Sequence, residues 1–574
     1  MKDLGQMARR ALRRKNLALA SMLLAVVQCA LKLWLPRLME DAVNNGVMKQ
    51  SLEYVTKIGG KMLLVCVALG VCGYVCSILT ALFGHLFARD LREEVYAHVT
   101  SLSALQASAM GQGALITGLT ADVDVCAALS TATIQLAVEP VLLTVGGIFM
   151  MWRLAPVFGM VFTGFVAVQL CVMALFIRST APGFQKVREA MDAMNSRLQT
   201  AFSGFRLAKA TNAQASECAR FNARNDGLFS AAYCVQRRIA LFNPLVMLIM
   251  NAAVGCILWL SGRGVAAGTL NVGRVLSAIT YSEQVLLSIM AGGQMYRRIT
   301  EAQPSARRLG RILDTRPDLS GGETPLDEPF RELRFEDVSF EYPGGGRVLQ
   351  GVSFTLRAGE TVALIGPIGS GKSTLAGLCA RLFDATGGSV RLNGEDIRHW
   401  RLPDARRAVA LVEKQTAVLE GTVAENLRFG REGISEADMQ RALTAAQMRE
   451  YIDERPDGLD SPLVSMGRSL SGGERQRLTI ARALSGSPGV LVLDDATSSL
   501  DYRTERALLE ALKRDYPDLA VLLITNRLAS AAQADRIMLL DGGTIAAQGT
   551  DATLRQSSPL YRRVLAIQDG KGAE

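Results

Sequence analysis

The sequence predicts two fold classes joined in one chain: an α-helical membrane domain with six transmembrane helices, then an α/β domain built on a parallel sheet. Three observations carry this reading. Residues 17–300 are crowded with long apolar runs, whereas residues 320–574 alternate short strand-like and helix-like segments. A glycine-rich loop, Gly366-Pro367-Ile368-Gly369-Ser370-Gly371-Lys372-Ser373-Thr374, stands between an apolar run at 360–365 and a helix-patterned run at 374–382. Finally, 574 residues are too many for one core.

Taken in order, residues 2–15 carry Arg9, Arg10, Arg13, Arg14 and Lys15 with little acid. They read as a basic helix lying along a membrane surface rather than a transit peptide, because the next segment is long enough to span. Six candidate spans follow, at 17–36, 58–86, 133–152, 155–177, 240–261 and 270–295. An even number places both termini on one side, and the basic start makes that side cytoplasmic, as expected for a multi-pass membrane protein. Residues 87–132 and 178–239 are polar and helical in pattern, so they should project into the cytoplasm. Lys32, Glu139 and Glu283 lie inside spans, where an ionisable group is costly unless it faces a wet cavity or a partner. Each fits either a substrate pathway or a structural pairing.

The net charge of +9 is explained by basic residues beside apolar spans, and no aromatic-and-basic groove suggests nucleic acid. Ten cysteines sit singly, among them Cys66, Cys72, Cys76, Cys171 and Cys256 in apolar runs, with neither zinc-ligand nor redox-pair spacing. The expected layout is therefore a transmembrane domain at 1–300, a linker at 301–331 and a nucleotide-binding domain at 332–574.

The loop matches G-x-x-x-x-G-K-[ST] position for position. Gly366, Gly369 and Gly371 let backbone N–H groups, including those of Ser370 and Thr374, point at phosphates; Lys372 reaches the β- and γ-phosphates, and the Ser373 hydroxyl ligates Mg²⁺. The run Val490-Leu491-Val492-Leu493-Asp494-Asp495 is an apolar strand ending in two carboxylates, the first placed for Mg²⁺ and the second for the attacking water. Between them, Leu470-Ser471-Gly472-Gly473-Glu474-Arg475-Gln476-Arg477 opens a helix whose N-terminus suits an anion.

With these three motifs in this order, the chain resembles the ATP-binding cassette superfamily along essentially its whole length. The resemblance implies further roles: Tyr342 stacks on adenine, and Ser498-Ser499-Leu500-Asp501 forms the loop linking two sites. Gly113, Asp122 and Asp124 belong to a first cytoplasmic coupling region; Gly204–Ala210, with Glu217, Arg220 and Phe221, belongs to a second. Six spans before one P-loop NTPase domain is the layout of an exporter half-transporter. The resemblance therefore implies a dimer holding two ATPs, with Ser471, Gly472, Gly473 and Glu474 serving the opposite chain's site.

Three positions depart from the family. Asp495 stands where a glutamate serves as general base, and its shorter arm does not reach the water from the same backbone position. The loss of such a base costs on the order of 10²–10⁴ in rate. Asn526 replaces a γ-phosphate-contacting histidine and carries neither proton nor charge; Lys414 replaces a metal-binding glutamine and cannot ligate Mg²⁺, with neighbouring Gln415 a substitute if the loop shifts. The pattern resembles the degenerate-site subunit of heterodimeric bacterial multidrug exporters, as does Asp41-Ala42-Val43-Asn44-Asn45-Gly46-Val47 after the first span. It implies an ATP-driven exporter subunit in the lipid bilayer of a bacterial cytoplasmic membrane, paired with a different chain that supplies the full catalytic set and moving an unidentified solute. The rival readings are a homodimeric exporter or lipid flippase with weak ATPase, and an ATP-gated channel or regulatory subunit.

Overall fold

The computed structural model describes residues 2–266, 270–414, 417–464 and 469–568. It divides into two compact units, residues 1–100 with 113–315 and residues 101–112 with 316–574.

Among the described residues, six helical stretches are long and apolar enough to cross a membrane, all but their ends at Ser101 and Gln112 within the first unit: Asp3–Val47, Leu52–Ser101, Gln112–Leu154, Pro156–Ser203, Gln214–Ala266 and Val272–Asp314. At about 1.5 Å per residue, helices of 43–53 residues extend far beyond a hydrocarbon core of roughly 30 Å. The polar, helix-patterned segments thus continue the spans. Close packing needs small residues: a Cβ on Gly147 would come within 2.4 Å of the Val285 side chain.

One boundary shifts. The linker expected from residue 301 is helical as far as Asp314, despite Pro304, because Ala302, Ala306 and Leu309 bury one stripe at helical spacing; the non-helical connection is 315–331. The segment grouped with the second unit is 101–112, whereas Gly113, Asp122 and Asp124 belong to the first. Within 101–112, helix Ala104–Met110 is capped by Ser103, Leu105 packs against the core of the second unit, and Gln106 Nε2 donates to the Arg316 carbonyl at 2.8 Å. The basic N-terminal helix, Lys2–Ala11, buries Met7 and Ala11, and the arginines around its end are bound to protein acids: Arg10 and Arg13 to Glu94 at 3.1 and 2.9 Å, Arg14 to Asp90 at 2.9 Å.

The second coupling region, helix Phe205–Ala210, joins two long helices that are tied together by Arg197 and Glu217, with Arg220 3.3 Å from the same carboxylate. Its Phe205 and Leu207 are exposed.

The second unit contains twelve described strands: β1 (Glu332–Glu341), β2 (Arg347–Arg357), β3 (Thr361–Ile365), β4 (Gly387–Leu392), β5 (Glu395–Asp396), β6 (Val409–Val412), β7 (Gly421–Thr422), β8 (Pro462–Leu463), β9 (Val490–Asp494), β10 (Ala520–Ile524), β11 (Arg536–Asp541) and β12 (Thr544–Gly549). Six form the core sheet in the order β12-β11-β3-β10-β9-β6, parallel except for edge strand β12. Both faces are covered, since Val490 and Val492 enter one apolar core and Leu491 and Leu493 the other. Strands β2-β1-β4-β5 form a separate antiparallel sheet.

One ion pair gives an asymmetric stability prediction. Asp122 is 1% exposed and is gripped by Arg308, whose Nε lies 2.8 Å from Oδ2, while the Arg308 side chain is half exposed. Arg308→Met strands a buried carboxylate and should cost about 3 kcal/mol, whereas Asp122→Ala leaves an arginine that turns to water and should cost less. Thermal unfolding of the two variants in detergent should show Arg308→Met melting lower.

Candidate nucleotide site

Four neighbouring parallel strands bring the chemistry together at their carboxyl ends, where open α/β sheets bind ligands. The glycine-rich loop leaves β3, Asn526 follows β10, Asp494 and Asp495 end β9, and Lys414 follows β6. Residues Gly369, Gly371, Lys372, Ser373, Thr374, Lys414, Asp494, Asp495 and Asn526 line one cavity of about 340 Å³. All three positions that depart from the resembled pattern therefore share a cavity with the intact phosphate loop.

The loop has the backbone its role demands. Gly369 and Gly371 take φ of +84° and +103°, the left-handed region that favours glycine, and a Cβ on Gly366 would come within 2.1 Å of the Leu540 carbonyl oxygen. Lys372 Nζ donates to the carbonyls of Gly366 and Pro367 at 2.7 and 2.8 Å, so its charge lies over the loop; burial pulls its pKa down. Ser370 Oγ is buried with no hydrogen-bond partner, as expected of a group awaiting a ligand. These features fit a nucleotide phosphate chain.

The Ser373 hydroxyl bonds the Asp494 carboxylate, whose pKa burial raises against that bond. Both are oxygen ligands suited to Mg²⁺, yet among the described residues no three His, Cys, Asp or Glu side chains gather as a metal site. A metal here would be held together with phosphate oxygens rather than by protein alone.

The register explains a pairing that spans 81 residues of sequence. Val412 of β6 lies opposite Leu493 of β9, so Lys414 and Asp495, each two residues further on, emerge side by side; Lys414 Nζ donates to Asp495 Oδ2 at 2.6 Å. That bond raises the lysine pKa, so the ammonium form is reinforced. Asp495 has φ of +50°, and its N–H donates to the Ile524 carbonyl at 3.0 Å. Gln415 lies outside the described residues.

Other expected positions fall elsewhere. Tyr342 is half-buried, its hydroxyl 3.0 Å from Thr374 Oγ1 and its ring edge-on to Phe340, and it does not line the cavity. Ser471 caps helix Gly472–Leu484, accepting from the Glu474 N–H, while Glu474 Oε2 accepts from the Ser471 N–H at 2.7 Å. None of Ser471, Gly472, Gly473 and Glu474 lines the phosphate-loop cavity. Asp501 caps helix Tyr502–Asp515. Arg527, not singled out from sequence, ties this region together, with its guanidinium 2.8 Å from the carbonyls of Leu500 and Ser498 and 3.3 Å from the buried Glu505. Its place directly after Asn526 was the available signal.

In the membrane unit, Lys32 and Glu139 form an ion pair, and Gln284 Nε2 donates to the Lys32 carbonyl at 3.2 Å. Glu139 follows a short π-helical segment at Thr133–Val138. Glu283 is exposed on its helix between buried Ser282 and half-buried Gln284 and is not part of that pair.

A six-span helical unit joined to an α/β nucleotide domain defines a membrane transporter powered by a P-loop ATPase. The ABC transporter family matches residues 349–498, and its transmembrane region matches residues 18–290. An uncharacterized ABC transporter ATP-binding protein of Mycobacterium tuberculosis is 30% identical over 563 residues, covering 96% of each chain. An ATP-dependent lipid A-core flippase of Desulfotalea psychrophila is 29% identical over 537 residues, 92% of this chain and 93% of that one. The structure of a bacterial Atm1-family ABC exporter with ATP bound superposes with a TM-score of 0.82 at 25% identity, over 98% of this chain and 99% of that one. The chain belongs to the ABC transporter family and is an exporter half-transporter.

Lys372→Ala removes the cation over the loop and should weaken ATP binding by about tenfold or more. Isothermal titration with ATP checks this, and Tyr342→Ala, outside the cavity lining, should lose less.

Proposed function

We propose that this chain is the ATP-retaining subunit of a heterodimeric, multidrug-like exporter in a bacterial cytoplasmic membrane, with both termini cytoplasmic. The observation that carries the reading is that Lys414, Asp495 and Asn526 line the same cavity as Lys372, Ser373 and Asp494. The binding set is intact and the hydrolytic set is altered.

Lys372 and the loop N–H groups hold the phosphates, and Ser373 with Asp494 would hold Mg²⁺, which when bound neutralises phosphate charge. Asp495 is short and its carboxylate is already engaged by the Lys414 ammonium, so it accepts a water proton poorly. Asn526 offers an amide that hydrogen-bonds without carrying charge. The thirteen-residue helix capped by Ser471 directs its positive end outward, ready to complete a partner's site. In the membrane unit, the Lys32–Glu139 pair and Glu283 are the positions at which a charged or amphipathic solute would be sensed.

A homodimeric exporter is the second reading, and the flippase relatives favour lipid as its cargo. ATP turnover by the chain alone and with its genomic neighbour separates the two. In the mixed complex, Ser471→Arg should abolish most turnover and Asp495→Asn should barely alter it. Restoring the set with Lys414→Gln, Asp495→Glu and Asn526→His together should raise turnover at this chain's own site by on the order of 10²-fold. Fast turnover by the unaltered chain alone, lost on Asp495→Asn, would overturn the heterodimer reading.

A further inference from the structure

We infer that Lys414 supplies within this site part of the positive charge that a divalent cation supplies in the family's usual site, so that this chain holds ATP whether or not Mg²⁺ is present. The inference rests on the proposal that the site retains nucleotide, and it identifies the counter-ion. Among the charged groups lining the cavity, Lys372 and Lys414 face Asp494 and Asp495, two cations against two carboxylates. With a neutral side chain at position 414 the same cavity would carry a net negative charge, repelling a polyphosphate unless a metal ion entered with it.

Geometry places the ammonium where it can act. Lys414 Nζ sits 2.6 Å from Asp495 Oδ2, in the cavity that also holds Lys372 and Ser373. An ammonium has three protons; one is spent on Asp495, leaving two for phosphate oxygens. The Lys414 side chain is 67% exposed, which leaves it free to swing from the carboxylate edge toward a bound phosphate while still bridging both. The same substitution works against the metal. A glutamine at 414 would offer a carbonyl lone pair, whereas the ammonium offers none and repels a divalent ion, leaving Ser373 and Asp494 as the protein ligands. Both effects point the same way, toward nucleotide held by fixed protein charge. The pairing also occupies the Asp495 carboxylate, so the same lysine bears on both nucleotide retention and metal independence.

The test is photolabelling of the full-length chain in lipid nanodiscs, alone and beside its partner, with azido-ATP in Mg²⁺ or in EDTA, reading this chain's own gel band. Half-saturation for the unaltered chain should shift by less than about threefold between the two conditions. Lys414→Gln should label normally in Mg²⁺ yet lose about tenfold or more in EDTA, and Lys414→Arg, which keeps the charge, should hold its label in both. Labelling of the unaltered chain that falls in EDTA as far as that of Lys414→Gln overturns the inference. Comparing α- and γ-labelled nucleotide in Mg²⁺ tests the underlying proposal separately: rapid loss of γ-label alone would sink nucleotide retention and leave metal independence standing.

Discussion

The parallel hydrogen-bond ladder of the core sheet is the constraint on which the rest of the nucleotide domain depends. Strands β3, β10, β9 and β6 are neighbours, and pairs such as Ile524 with Asp494 and Val412 with Leu493 fix their relative heights. Once those heights are fixed, every group that leaves a carboxyl end has a set position. Moving β6 by one residue would flip its side chains to the opposite face and carry Lys414 away from Asp495. Burial on both faces enforces the register, because Leu493 and Val492 belong to opposite cores and cannot exchange.

Much of this was legible in the sequence where chemistry is local. The phosphate loop needs contiguous residues between a strand and a helix, so Gly366 to Thr374 and its neighbours could mark the candidate site. The capping box at Ser471 and Glu474 was readable for the same reason. The pairing of Lys414 with Asp495 was not, although both residues were singled out, because it depends on β6 lying beside β9. Its signal was present in hindsight, each residue standing two beyond its strand's last apolar position. Helix lengths were hidden differently. Hydropathy marks the stretch in contact with lipid and ends there, whereas the Ala302, Ala306 and Leu309 stripe that extends the last helix to Asp314 is a packing signal among polar residues.

The membrane unit shows the same logic of compensated charge. Lys32 and Glu139 would each be costly alone in an apolar span, and together they satisfy one another through helices far apart in sequence. The N-terminal arginines behave likewise, since Glu94 and Asp90 hold Arg10, Arg13 and Arg14 against the second long helix. Basic residues that suggested attraction to lipid headgroups also fasten protein to protein. Composition reports how many charges exist and leaves open what they meet.

The backbone at Asp495 couples the chemistry of two strands. Its φ of +50° lies where aspartate and asparagine are several-fold enriched over most other side chains, and its carboxylate is committed to a lysine on another strand. A longer acid at this position would have to accept the same left-handed backbone and would still meet the ammonium. Changing Lys414 alone would leave the aspartate carboxylate without its cation, and changing Asp495 alone would leave the ammonium without its acceptor. The two positions are thus tied to one another, and a substitution at either is felt at both.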